Sequence, residues 1–188
     1  RVVWATSMVA CGDADGAVTG NTRRFGASLE KIKQVVDVRK GEIMFGLNMI
    51  VHKGRTIFIG DTTVHEYPTS EQMAEIAIST ARVVRLFGFD PKVAFVSHST
   101  FGQPLTSRTK HIRNAVEILK EKNVNFQFDG DMQPDVALNS EYEELYPFAK
   151  IVGKANILIM PGQHSAAISY KLMKSIGDSK VIGPLLIG

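Results

Sequence analysis

Two short segments gather polar groups in an arrangement suited to binding an anion. Ser97-His98-Ser99-Thr100-Phe101-Gly102 follows an apolar run and leads towards a helical pattern, so its hydroxyls and backbone N–H groups suit a phosphate or carboxylate. The same hydroxyls also serve as ordinary helix caps. Gly162-Gln163-His164-Ser165 again joins a strand pattern to a helix pattern, with capping by Ser165 as its simpler reading. If the two strands are neighbours, Ser99, Thr100, Gly102, Gln163 and His164 face one cleft, and these five are the expected ligand contacts. The residue order is neither a P-loop nor G-x-G-x-x-G, and His98 between two serines is not a nucleophile elbow.

Other chemistry-bearing groups are less pointed. Asp129, Asp131 and Asp135 could hold a hard cation, but Ser140 stands where an EF-hand counted from Asp129 needs glutamate, and a solvated turn is the favoured reading. Arg23-Arg24 is a basic pair with anion-binding potential, whereas Arg108, Lys110, His111 and Arg113 read as a solvated helix face. Cys11 and the five histidines show no zinc spacing, so no metal site is expected.

The elements that must position these groups follow from periodicity. Apolar spacing predicts helices over 2–11, 24–36, 69–87, 107–122 and 165–176, the third opened by a capping box of Thr69 and Gln72. Strands are predicted over 14–19, 44–51, 55–61, 92–97, 124–128, 156–160 and 181–187, with His52-Lys53-Gly54 closing an antiparallel hairpin. From residue 69 onward strands and helices alternate, which implies an α/β protein with a mainly parallel sheet covered on both faces. Ligands then belong beyond the carboxyl ends of the strands.

Composition sets the outer bounds. The chain has 188 residues, 44% hydrophobic and 22% charged, which excludes disordered, collagen-like and coiled-coil classes. A net charge of +3 spread along the chain does not argue for nucleic acid, and no apolar run approaches a membrane span. The single cysteine removes the disulfide-stapled secreted class and points to the cytoplasm. An opening on Arg1 and a close on the apolar run 181–188 suggest an excerpt from a longer chain.

The sequence resembles the phosphate acetyl/butyryltransferase family over nearly its whole length. The resemblance rests on Ala14-Asp15-Gly16-x-Val18-x-Gly20, Phe95-Val96-Ser97-x-Ser99-Thr100-Phe101-Gly102, Asp129-Gly130-Asp131-Met132-Gln133-x-Asp135, Ala155-Asn156-Ile157-Leu158-x-Met160-Pro161, Tyr170-Lys171-Leu172 and Ile182-Gly183-Pro184. Arg23-Arg24-Phe25, Tyr146-Pro147-Phe148 and His164-Ser165-Ala166-Ala167 are similar to the transacetylase-like C-terminal domain of large bacterial NADP-dependent malic enzymes.

The resemblance implies a three-layer α/β/α fold like isocitrate and isopropylmalate dehydrogenases, and a homodimer. It places the end of a first subdomain at 1–42 and most of a second at 43–188. It also implies acetyl-CoA as effector, with NADP and Mg²⁺ or Mn²⁺ used elsewhere in the parent enzyme. Where active transferases of the family carry Leu-Arg-Pro, this chain has Leu29-Glu30-Lys31; a carboxylate repels phosphate, which opposes a transferase role. The family's catalytic Ser-Arg and Asp follow the Ile-Gly-Pro strand, so no catalytic residue is assigned here. Three functions are weighed: a regulatory and oligomerisation domain of a malic enzyme, an active phosphate acetyltransferase, and an unrelated metal- or anion-binding module.

Overall fold

The structure is a computed structural model that describes residues 1–20 and 22–188. It forms two compact units, Arg1–Gly41 and Glu42–Gly188. The first contains α1 (Val2–Cys11) and α2 (Phe25–Lys33). Gly12 ends α1 in a left-handed turn at φ 81°, and the N–H of Asp13 reaches back to the Met8 carbonyl at 2.8 Å. The strand expected over 14–19 does not form. A strand has no hydrogen bonds of its own, no neighbour pairs with this segment, and Val18 is fully exposed. Helix α2 stops short of the expected 36 because the N–H groups of Val35 and Val36 both turn onto the Ile32 carbonyl.

The second unit is built on one six-stranded sheet. In chain order its elements are β1 (Phe45–His52), β2 (Arg55–Gly60), α3 (Ser70–Leu86), β3 (Lys92–Val96), α4 (Ser107–Glu121), β4 (Gln127–Met132), α5 (Pro134–Leu138), β5 (Ile157–Ile159), α6 (Gln163–Ile176) and β6 (Lys180–Ile187). Across the sheet the order is β4-β3-β5-β2-β1-β6. The first four strands are mutually parallel, while β1 runs antiparallel to both β2 and β6. The sheet is therefore mixed, with β1 alone running against the other five strands, and the hairpin lies where the Gly54 turn predicts it.

Side-chain alternation sorts the strands between two cores. Phe45, Phe58, Phe95, Ile157 and Ile159 pack under α3 and α4, which contribute Met73, Ile76, Val84, Ile112 and Leu119. On the opposite face Ile50, Ile59, Ala94, Val96 and Leu158 meet α5, α6 and the segment 151–155. The result is three layers, helix over sheet over helix. Helix α3 begins where expected because Thr69 accepts from the N–H of Gln72 at 3.2 Å while Gln72 accepts from the N–H of Thr69 at 2.8 Å. That reciprocal cap is worth about 1 kcal/mol.

Two strands differ from expectation. The strand expected over 124–128 lies at Gln127–Met132, drawing in Asp129 and Gly130, which pair with β3, and Asp131, which the register skips at an irregularity before Met132. Polar residues are tolerated there because each carboxylate finds donors. The strand expected over 181–187 forms, but in place of a covered parallel strand it is an edge paired antiparallel to β1, with Ile182 and Leu186 partly in solvent. An unbroken apolar run signals that a strand can pair but not in which direction. No helix among the described residues is long and apolar enough to cross a membrane.

Candidate functional site

Strand order brings three strand-to-helix turns side by side. Strand β5 lies between β3 and β2, so the turn 160–162 sits between the turns 97–106 and 61–69. Each leads into a helix, so α3, α4 and α6 all start at the carboxyl ends of these strands. A cleft of about 660 Å³ opens between them, walled by Glu66 to Thr69, by Arg108 and His111, and by Gly162, His164 and Ser165.

Buried carboxylates shape two of these turns from beneath. Asp61, 2% exposed, accepts hydrogen bonds from the N–H groups of Gly46, Thr63 and Val64, and from His65 N–H at 2.7 Å. Its Oδ2 also lies 2.8 Å from His65 Nδ1. Burial raises the pKa of Asp61, but the His65 hydrogen bond and those from Thr63, Gly46 and His65 N–H outweigh it and hold the carboxyl below its usual value. His65 in turn offers its carbonyl to the N–H of Gln163 at 3.0 Å, joining this turn to the start of α6.

Asp131, wholly buried at the end of β4, does the same for the turn after β3. It accepts from the Ser99 hydroxyl and from the Gly102 N–H at 2.9 Å, and its carbonyl accepts the Phe101 N–H at 2.6 Å. Thr100 Oγ1 accepts the N–H of Gln133 at 3.3 Å, tying the turn to the start of α5. Gly102 adopts φ 82°, and a Cβ there would stand 2.2 Å from the Arg113 guanidinium. Beneath it, a Cβ on Gly130 would lie 2.8 Å from both the carbonyl oxygen and Cβ of Phe95, at φ 146°.

The expected ligand contacts are thus divided. Ser99, Thr100 and Gly102 are buried, and the Ser99 hydroxyl and Gly102 N–H are engaged by Asp131; they form the underside of the turn and do not wall the cleft. His164 does wall it, with Nε2 3.2 Å from Glu66 Oε1 across the opening, and Gln163 begins α6 beside it. Arg108 and His111, read from sequence as a solvated face, line the cleft instead, because they fall on the first turns of α4 where the helix meets the sheet edge. His111 Nε2 lies 2.9 Å from the Pro68 carbonyl, which only accepts, so that nitrogen carries a proton. Ser70 donates to the His111 carbonyl at 2.8 Å. Thr106 caps α4 by accepting from the Thr109 N–H at 3.2 Å, which puts Arg108 in the first turn of the helix. Asp61 carried no motif that would have singled it out.

The acidic residues on β4 and α5 do not converge. Asp129 accepts from the N–H groups of Gly130 and Lys150, Asp131 from the turn 99–102, and Asp135 faces Tyr142, raising the tyrosine pKa by its charge and hydrogen bond. No group of three or more metal-ligating side chains occurs among the described residues.

A mixed, mainly parallel sheet between helix layers, with a cleft beyond the strand ends where three helices start, defines a three-layer α/β domain. The chain belongs to the phosphate acetyl/butaryl transferase family, whose model matches residues 1–188. It is 46% identical over 185 residues to the NADP-dependent malic enzyme of Rhizobium meliloti (strain 1021), covering 98% of this chain and 24% of that protein. It is 33% identical to the phosphate acetyltransferase of Clostridium acetobutylicum, over 98% of this chain and 58% of that protein. A phosphotransacetylase structure from Streptococcus pyogenes superposes with a TM-score of 0.90 at 28% identity, over 99% of this chain and 58% of that one. The chain spans about a quarter of the length of the malic enzymes it matches.

Proposed function

We propose that this chain is the transacetylase-like, C-terminal regulatory and oligomerisation domain of a cytoplasmic NADP-dependent malic enzyme, which oxidatively decarboxylates malate to pyruvate using NADP and Mg²⁺ or Mn²⁺ bound elsewhere in the parent. Its ligand is acetyl-CoA or a related acyl phosphate compound, held in the cleft with its anionic groups towards Arg108, His111, Gln163 and His164. Ser99, Thr100 and Gly102 act one layer below, setting the turn from which α4 starts. The observation that carries this reading is the cleft itself: a guanidinium, two imidazoles and three helix starts on one opening, in a chain 46% identical to a malic enzyme.

Further parts of the reading are the subdomain boundary near residue 42, kinship with isocitrate and isopropylmalate dehydrogenases, and a homodimer. The exposed apolar side chains Ile168, Leu172 and Ile176 on α6 support self-association.

The test is acetyl-CoA titration of the parent enzyme carrying this domain, followed by malate oxidation. Replacing Arg108 by alanine removes a charge-assisted contact, so the half-effective concentration should rise about ten- to hundredfold with basal turnover unchanged. Equal responses in wild type and variant would exclude the cleft as the effector site.

The second reading, an active phosphate acetyltransferase, is favoured by the match to the Clostridium enzyme. In it a coenzyme A thiolate attacks the acetyl carbonyl of acetyl phosphate and phosphate leaves. Glu30 stands against it. Acetyl phosphate-dependent formation of acetyl-CoA by this chain would establish that reading.

A further inference from the structure

The cleft carries one acidic side chain among its nitrogen donors. Glu66 Oε1 lies 3.2 Å from His164 Nε2, and both residues wall the opening. A carboxylate only accepts, so Nε2 holds a proton and gives it to Glu66. His111 Nε2 is likewise engaged by the Pro68 carbonyl, while Ser70 fastens the His111 carbonyl. Among the described residues, that leaves the Arg108 guanidinium as the cationic group of the cleft without a hydrogen-bond partner.

The backbone sets Glu66 opposite His164. His65, the residue before Glu66, gives its carbonyl to the N–H of Gln163, the residue before His164, at 3.0 Å. The Glu66 carbonyl itself presses on Gly162, where a Cβ would stand 2.3 Å from that oxygen. Carboxylate and imidazole are thus each one residue from a joint made by the main chain. Helix α6 also starts at Gly162 with no side-chain cap, so a carboxylate beside its first turn is favoured by the positive end of the helix. The two side chains are nevertheless 59% and 72% exposed, and an ion pair so open to solvent yields readily to another acceptor.

We propose that Glu66 is a built-in competitor for the anion site: its carboxylate occupies the His164 donor, and an anionic ligand drawn to Arg108 gains His164 only by displacing it. His111 is not recruited in this way, because its ring N–H ties α4 to the turn before α3. A small anion with no other contact bears the whole cost of the exchange, whereas a larger ligand offsets it through contacts elsewhere, so Glu66 selects against free phosphate. The inference rests on the proposed function in so far as the cleft binds an anion.

The test is NMR titration of the full chain with inorganic phosphate, followed at the backbone N–H groups of Gly162 and Ser165. Glu66→Gln removes the charge and should tighten phosphate binding about three- to tenfold, and Glu66→Ala should do the same. On a His164→Gln background the Glu66→Gln change should keep less than half of that gain, because no imidazole is released. Equal gains in the two backgrounds would mean plain charge repulsion and overturn the inference. Phosphate binding unchanged or weakened by Glu66→Gln overturns it as well, and sparing of the anion cleft is then shown by weaker binding in Arg108→Ala. Absence of phosphate binding from wild type and from both Glu66 variants overturns the inference and the cleft together. Tightening by Glu66→Gln that depends on His164, in a domain whose parent enzyme is indifferent to acetyl-CoA, supports the inference and defeats the proposed function.

Discussion

Removing the Asp61 carboxylate should cost this domain a large part of its stability. Asp61 receives the N–H groups of Gly46, Thr63, Val64 and His65 as well as the His65 ring. In Asp61→Ala the Gly46 N–H, which is buried, loses its partner and costs about 1–3 kcal/mol; the others are partly buried and recover water in part. Breaking one side of so buried a charged network costs about 3–5 kcal/mol in total, against about 5–15 for a whole domain. Asp61→Asn keeps one acceptor oxygen, but its amide N–H₂ opposes the N–H of His65 and should also destabilise, by less. In urea, with a slope of about 2 kcal/mol/M, the alanine variant should unfold roughly 2 M earlier. The pH dependence carries its own sign. Because the folded-state pKa of Asp61 is depressed, its contribution is fully present above the unfolded value of about 3.9 and is lost as pH falls through the lower folded value. Wild type should lose this component below about pH 4 and both variants should lack it. Unfolding midpoints of both variants within about 0.5 kcal/mol of wild type would refute the reasoning.

Gly130→Ala should destabilise by about 2–4 kcal/mol in thermal melts, since the new Cβ meets the Phe95 backbone and φ is 146°. Thr69→Ala removes the capping box of α3 and should cost about 1 kcal/mol in chemical unfolding, with Thr69→Ser restoring most of it. Leu172→Glu, on the open face of α6, should shift sedimentation from dimer towards monomer without lowering the melting temperature, and a wild-type monomer at micromolar concentration would remove the expected self-association.

The helices were legible because their signals are local. Thr69 with Gln72 marks a start, and apolar residues at 73, 76, 77 and 84 mark a buried face; both signals lie within one continuous stretch of chain. The strand at 14–19 failed because a strand's existence depends on a partner elsewhere. The misplacement of β4 has the same origin: Asp129 and Asp131 read as a solvated turn until the donors of Lys150, Ser99 and Gly102, distant in sequence, are brought to them. At the cleft, the turns could be named from alternation alone, but which hydroxyls face outward could not. Ser99 offered a donor in the sequence and gives it to Asp131 in the fold, whereas Arg108 became a cleft residue only once the start of α4 was brought beside the 66–69 turn and the start of α6.

The two carboxylates beneath the turns separate form from recognition. Asp61 and Asp131 hold the backbone of their turns through groups that solvent and ligand barely meet, while Glu66, Arg108 and His164 hang on the outer side of the same framework. Substituting an outer residue alters what the cleft attracts without disturbing the bonds that give the turns their course. On the proposed function, changes at a few outward positions are therefore enough to exchange one anionic ligand for another while the turns keep their course.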